Sequence, residues 1–262
     1  MKILFLGDIV GKLGRQVVKN NLEKLVKKYQ VDFVIANGEN TTHGKGLIEK
    51  HYYELLDAGV DCITLGNHYL SKDNLLDYIE DADALIRPLN ISKRIGGEGS
   101  RLFETNGVKI RVTNILGTAF MKEEVASPYY ALKSLIDEID GEDSIHVVDY
   151  HGEATGEKMC YGYAFDGLVS AVLGTHTHVQ TNDAKILKNG TAFISDVGMC
   201  GAANGVLGFE KDSVMRVTMF GEKGRFGFDD EDDKLLNGVV INFDDVSHKA
   251  LEIIPIKLIE EK

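Results

Sequence analysis

Apolar residues along this chain follow two spacings in turn. Residues 2–7 are almost wholly apolar and predict a buried strand, after which Val17, Leu22, Leu25 and Val26 recur at helical intervals with Lys19, Lys24, Lys27 and Lys28 facing outward. Residues 31–36 predict a second strand and 47–58 a helix closed by Gly59. Residues 61–65 predict a third strand, with Ser71 placed to cap the helix that follows. A β-α-β-α-β order implies parallel strands joined by right-handed crossovers.

The character changes after Pro88. Gly96-Gly97-Glu98-Gly99 reads as a flexible turn, and residues 101–105 and 108–115 alternate about Asn106-Gly107 as a hairpin. Residues 129–140 predict a helix, and 145–150 and 168–173 predict buried strands. Further strands are expected near 184–187, 191–195, 238–243 and 250–256, with 208–220 a helix running into a strand. Residues 221–233 are polar and glycine-bearing, the signature of a mobile loop. Neither a linker nor an internal repeat divides the chain. The expectation is one domain over residues 1–262, with two packed sheets flanked by helices.

Composition narrows the function classes. The chain has 262 residues, 44% of them hydrophobic, enough for a sizeable core. Its 29 basic and 41 acidic residues give a formal net charge of −12, which disfavours an extended nucleic-acid surface but leaves room for a small nucleotide or an RNA end. No apolar run approaches the length of a membrane span. The start, Met1 to Asp8, has the look of a short signal core but ends in a candidate ligand, so it reads as a strand. Three cysteines, Cys62, Cys160 and Cys200, with no Cys-x-x-Cys, exclude a disulfide framework or a structural zinc site as the first reading. These features fit a cytoplasmic protein.

The candidate chemistry lies just past the predicted strands. Thr175-His176-Thr177-His178 follows one of them, and two histidines two residues apart can reach one site if the backbone stays extended or turns sharply. Neutral imidazole is the commonest protein metal ligand. One such pair is weak evidence, but Gly7-Asp8, Gly38-Glu39-Asn40, Gly66-Asn67-His68 and His151 follow four other strands. Ligands of open α/β sheets bind at the carboxyl ends of parallel strands, and each glycine permits a tight turn there. Asp8 or Asn67 alone would read as a helix cap or turn residue; for Glu39 that reading is weaker, because glutamate caps poorly.

The donor set of carboxylate, amide oxygen and imidazole suits manganese, iron, zinc or nickel. Seven candidates, Asp8, Glu39, Asn40, Asn67, His151, His176 and His178, exceed what one ion needs. Two ions about 3.5–4 Å apart, bridged by Glu39, would use them. His68 is then left over as a general acid. His146 reads as structural, His51 and His248 as surface residues, and His43 as either a substrate contact or a plain loop residue.

These blocks resemble the calcineurin-like metallophosphoesterases, with two departures: Val10 stands where a histidine is usual, and Glu39 where an aspartate is. Both departures are similar to the narrower group of YmdB-like phosphodiesterases. That resemblance covers nearly the whole chain, through Gly7-Asp8-Ile9-Val10-Gly11, Asn37-Gly38-Glu39-Asn40, His43-Gly44-Lys45-Gly46, Gly66-Asn67-His68, Arg87-Pro88, Asp149-Tyr150-His151-Gly152-Glu153-Ala154-Thr155, Val172 to Thr181 and Asp196-Val197-Gly198-Met199.

The resemblance implies a four-layer α/β/β/α sandwich. It also implies a first ion on Asp8, Glu39, Asn40 and His178 and a second on Glu39, Asn67, His151 and His176, with His68 as proton donor. The ions would be iron or manganese, with zinc as an alternative. The implied reaction is hydrolysis of 2′,3′- or 3′,5′-cyclic nucleotides by in-line attack of a metal-bound hydroxide. Tyr69 and Cys200 depart from the pattern and bear on substrate preference. Arg87, Asn90 and the Gly198–Gly201 loop are further pocket candidates. Two other readings stay open: a phosphomonoesterase such as a nucleotidase, and a regulatory protein that holds metal and nucleotide with little turnover. The partner expected is a small cyclic nucleotide or phosphodiester, with no membrane; a homo-oligomer is left open.

Overall fold

The computed structural model describes residues 1–72 and 74–262. Its first half contains β1 (Lys2–Leu6), β2 (Asp8–Ile9), α1 (Gly11–Tyr29), β3 (Phe33–Asn37), α2 (Glu49–Asp57), β4 (Cys62–Thr64), α3 (Leu75–Tyr78), β5 (Leu85–Ile86), and the hairpin β6 (Ser100–Thr105) and β7 (Val108–Leu116). Then come α4 (Pro128–Glu138), β8 (Ile145–His151), α5 (Thr155–Ala164), β9 (Ala171–Thr175), β10 (Lys185–Ile186), β11 (Ala192–Ile194), β12 (Met199–Ala202), α6 (Lys211–Thr218), β13 (Lys234–Phe243) and β14 (Ala250–Glu260).

Two sheets result. The first runs β2-β12-β13-β1-β3-β4-β5, with β14 also paired to β13; the second runs β10-β11-β9-β8-β7-β6. Strands β1, β3, β4 and β5 are parallel, as are β7, β8, β9 and β11. Alternate residues of each strand enter different cores. Ile3, Phe5, Phe33 and Ile35 meet Ile110, Val112, Val147 and Leu173 between the sheets. Leu4, Leu6, Val34 and Ala36 face Val17, Leu22 and Leu55 of α1 and α2. Val148, Tyr150 and Val172 face Leu132 and Tyr161 of α4 and α5. Burial on both faces explains why these strands read as unbroken apolar runs.

Several expectations are corrected. The strand expected at 168–173 begins only at Ala171; Leu168 is 53% exposed, in the turn that leaves α5. Ser71 caps nothing, because α3 starts at Leu75. The 208–220 segment supplies α6, but no strand follows it. Residues 221–230 have no regular structure, in keeping with the expected loop, and Phe226 and Phe228 pack on Phe209 with ring centroids 5.5 and 4.9 Å away. The helix α5 and strand β12 had no counterpart in the sequence reading.

The parallel strands of both sheets end at one rim. There the sheets are tied by polar bonds rather than apolar contact. Asn37 Nδ2, at the end of β3, donates to Asp149 Oδ2 of β8 at 3.0 Å, and Thr64 Oγ1 of β4 donates to the same oxygen. Away from the rim, His146 is buried in β8, its Nε2 2.8 Å from Thr113 Oγ1. Burial first, then the nearby Arg111 charge, pushes its pKa down to about 3. In the unfolded chain it titrates near 6.5. Neutral His146 therefore supports folding fully above pH 6.5, and that support is lost as pH falls toward 3. A His146→Gln variant should show a shallower fall of Tm with acidification across this window; parallel profiles for the two proteins would refute the assignment.

Candidate metal centre

Every one of the seven predicted ligands reaches the rim. Asp8, Glu39, Asn40 and His151 are fully or almost fully buried there. Gly7 lets β1 turn into β2: a Cβ at this position would lie 1.9 Å from Gly198 O. Around His151 Nε2 lie Asn67 Oδ1 and His176 Nδ1, each at 3.0 Å, and Glu39 Oε1 at 3.3 Å. Glu39, His151 and His176 offer ligand atoms all within 4.8 Å of one another, a group that could hold a metal ion. Beside it, Asn40 Nδ2 lies 3.0 Å from Glu39 Oε1, 3.3 Å from Asp8 Oδ1 and 3.1 Å from His178 Nε2. The amide nitrogen of Asn40, not its oxygen, faces this second group, and a half-turn of the amide exchanges them. His68 stands against both groups: its backbone N–H donates to Glu39 Oε2 at 2.9 Å, and its Nδ1 lies 3.1 Å from Glu39 Oε1 and 2.9 Å from Asn40 Oδ1.

The three histidines of the centre are oriented alike. His178 Nδ1–H donates to the Leu207 carbonyl at 3.0 Å, leaving Nε2 for the centre. His176 Nε2 is 3.2 Å from Glu153 Oε2, leaving Nδ1 for the centre. His151 Nδ1 is 2.9 Å from Thr175 Oγ1, and that hydroxyl gives its proton to Asp149 Oδ1 at 2.6 Å. The hydroxyl must then accept from His151 Nδ1–H, so Nε2 is the free nitrogen. An acceptor on the outer nitrogen of each ring fixes its tautomer and aims the inner lone pair, as ligating histidines require.

The electrostatics point the same way. Burial opposes charge at His151, but Glu39, Asp8 and Asp149 outweigh it and hold its pKa up to about 9. Burial likewise opposes the charges of Asp8 and Glu39, yet His178 beside Asp8 and His151 beside Glu39 bring both carboxyls below their usual range. Burial, then the neighbouring His151 charge, pushes His176 down to about 4. Two buried carboxylates thus draw positive charge into a space where imidazole nitrogens stand 3.0 Å apart. A bound cation satisfies both conditions at once.

Gly66 keeps that space open. A Cβ there would lie 2.3 Å from Glu39 Oε2 and 2.5 Å from His151 Nε2. In a Gly66→Ala variant, metal affinity is expected to fall by about 10–100-fold, the range for disturbed ligand support. Competition against a chelator would measure it, with circular dichroism as the check on folding. Wild-type affinity in a folded variant would show that the donors yield freely.

The supporting role of the residues behind the histidines is not legible in the sequence. The loop carrying them is strained, with φ of 100° at His176 and 66° at His178. It is clamped by a buried pair, Lys158 and Asp196, 2.8 Å apart. Lys158 Nζ donates to Thr175 O at 2.7 Å, and Asp196 Oδ2 accepts from Thr177 N and Oγ1 at 2.9 and 2.7 Å. Removing one partner of such a pair costs about 3–5 kcal/mol. Asp149, Glu153 and Asp196 stand in the family motifs, but with no role assigned there; nothing in the sequence marks Lys158.

Other candidates fall away from the centre. Arg87 is buried and donates to the carbonyls of Gly96 and Pro88, and Asn90 is bonded to the backbone of Leu116 and Ala126, so both brace the chain. Gly198–Gly201 supports Asp8 from behind: Gly198 O accepts from Asp8 N, and Cys200 O from Val10 N. The Cys200 side chain is buried in an apolar core, its thiol pushed up to about 12 by burial. Tyr69 packs against the same core. His51 is buried, not at the surface as expected, 2.7 Å from Thr42 Oγ1.

The centre opens into a cavity of about 320 Å³, walled on one side by Glu39, Asn40, His68, His176 and His178 and on the other by Leu207, Phe209 and Phe226. No helix among the described residues is long and apolar enough to cross a membrane.

The chain matches the family described as YmdB-like protein over residues 4–256. A 2′,3′-cyclic-nucleotide 2′-phosphodiesterase of Bacillus subtilis (strain 168) is 42% identical over 253 residues, 97% of this chain and 95% of that protein. A crystal structure described as a novel phosphatase from Mycoplasma pneumoniae has a TM-score of 0.92 at 42% identity, covering 100% of this chain and 94% of the other. The crystal structure of a hypothetical protein from Thermus thermophilus has a TM-score of 0.91 at 33% identity, covering 99% and 100% of the two chains.

Proposed function

Because the chain belongs to the YmdB-like family, we propose that it is a metal-dependent phosphodiesterase that opens 2′,3′-cyclic nucleotides to 3′-nucleotides, with 3′,5′-cyclic nucleotides as a second substrate class. The observation that carries this reading is the orientation of His151, His176 and His178, each bonded outward and free inward toward buried carboxylates. We assign a first ion to Asp8, Glu39, Asn40 and His178, and a second to Glu39, Asn67, His151 and His176, with iron or manganese preferred. The two sheets, with apolar cores between them and beneath the helices on either side, support the calcineurin-type four-layer sandwich as the scaffold.

Bound ions would neutralise phosphate charge and lower the pKa of water at the rim. The protein's own residues do the rest. Leu207, Phe209 and Phe226 offer an apolar wall for the base. His68, held through Nδ1 by Glu39 and Asn40, gives a proton to the departing 2′ oxygen. Water oxygen joins phosphorus, the bond from phosphorus to the 2′ oxygen breaks, and the 3′-phosphate remains.

Chromatographic identification of products from a set of cyclic nucleotides, with manganese- or iron-loaded protein, tests this. Turnover of 2′,3′-cyclic nucleotide to the 3′-nucleotide is the expected result. The phosphatase description of the Mycoplasma structure keeps a monoesterase reading in play. Faster cleavage of p-nitrophenyl phosphate than of its bis ester would favour that reading.

A further inference from the structure

A second cavity of about 710 Å³ adjoins the first, and the two share Lys45, Phe209 and Phe226. Its lining includes His43, Lys45, Lys72 and Arg225, and no carboxylate among the described residues. On a chain of net charge −12, a concave surface with this sign is a local inversion. No ion pair occupies these four among the described residues, while nearby acids are engaged elsewhere: Glu210 accepts from Asp212 N and Ser213 N, and Asp230 pairs with Lys12.

The cavity is shaped by packing. Gly44 lies against the aromatic group, where a Cβ would meet Phe228 at 2.7 Å and Phe209 at 3.0 Å. Gly46 lies against Lys72, where a Cβ would stand 2.7 Å from Cγ. The turn from Glu39 to Gly46 is closed by Gly46 N bonding to Glu39 O and Thr42 N to Gly46 O. Lys45 is thus set a short, constrained step from Glu39 of the candidate centre.

We propose that this second cavity is a subsite for a further phosphate on the 5′ side of the reacting nucleotide. The inference rests on the cyclic-phosphodiesterase reading and extends it to the substrate class. A cyclic phosphate at the candidate centre, with its base on Phe209 and Phe226 that line both cavities, would leave the 5′ side of the ribose to reach Lys45, Lys72 and Arg225. The phosphate there is either a terminal 5′-phosphate or the first internucleotide linkage of an RNA end. Both present the same anionic oxygens to ammonium and guanidinium groups.

The test compares three substrates: adenosine 2′,3′-cyclic phosphate, the same nucleotide with a 5′-phosphate, and the dinucleotide ending in a 2′,3′-cyclic phosphate. The protein is assayed as wild type and as Lys72→Ala/Arg225→Ala. Wild type should favour one or both phosphate-bearing substrates in kcat/KM by about 10–100-fold, the value of one or two charge-assisted hydrogen bonds. The double variant should lose that preference and keep its rate on the plain cyclic nucleotide. Preference for the 5′-phosphate alone identifies a mononucleotide substrate; equal or greater preference for the dinucleotide identifies an RNA end. Turnover without preference, or equal losses on all three, overturns the subsite and leaves the phosphodiesterase reading standing. Should no substrate turn over, that reading fails. Calorimetric binding of adenosine 3′,5′-bisphosphate against 3′-AMP then decides the subsite: equal affinities overturn it, and tighter bisphosphate binding lost in the variant supports it.

Discussion

Glutamine at position 39 is expected to remove at least one of two bound metal ions and to lower kcat/KM for bis-p-nitrophenyl phosphate by several kcal/mol, on the order of 10³-fold or more. Glu39 touches ligand-bearing side chains of both groups of donors through a single carboxylate oxygen. Its Oε1 meets His151 Nε2 at 3.3 Å on one side and Asn40 Nδ2 at 3.0 Å on the other. Glutamine keeps the shape and removes the charge. It also turns an amide toward His68, whose backbone N–H now donates to Glu39 Oε2. Metal analysis of the purified variant beside steady-state kinetics reads both effects. Two ions retained with near-normal turnover would refute the bridging role.

Loss of the His68 imidazole is expected to act differently. His68→Ala should retain both ions and lower kcat by about 10²–10⁴-fold on a cyclic nucleotide, the range of general acid catalysis. His68 lines the cavity, and no hydrogen bond to its Nε2 occurs among the described residues. The loss should shrink for a p-nitrophenyl ester, because p-nitrophenolate leaves without a proton, whereas a ribose alkoxide does not. An equal loss on both leaving groups would make His68 a phosphate-binding residue. Loss of metal would make it structural, through its contacts with Glu39 and Asn40.

The donors were legible because each stands at the end of, or just past, a strand buried on both faces. Leu4 and Phe5 enter different cores, so β1 is apolar throughout and the first polar residue past Gly7 stands out. The same contrast marks Glu39 after β3 and His176 after β9. Helix α5 escaped notice because it contains Gly156 and Gly162, both poor helix formers. Gly162 is needed for close packing, since a Cβ there would meet Phe193 at 2.5 Å. Lys158 was invisible for another reason: lysine is ordinarily exposed, and only the fold supplies the buried Asp196 that pairs with it. Strand β12 is four residues long and includes Gly201, so its sequence reads as turn; pairing with β2 and β13 makes it a strand. The positive φ at both loop histidines is likewise set by neighbours distant in sequence.

The position of β13 has a consequence for when the centre can exist. Strand β1, which delivers Asp8, pairs Leu4 with Val240, so its neighbour on one side is among the last parts of the domain to be made. The other side pairs early, with β3. During synthesis all seven donors emerge before β12 and β13 do; β12 then pairs with Asp8 itself, and the edge of β1 that leads to Asp8 stays open until β13 follows. A nascent chain therefore carries the ligands without the geometry. If the centre holds metal as proposed, loading would belong to the finished fold, because an ion captured earlier would meet loose histidines and carboxylates that select by affinity and not by shape.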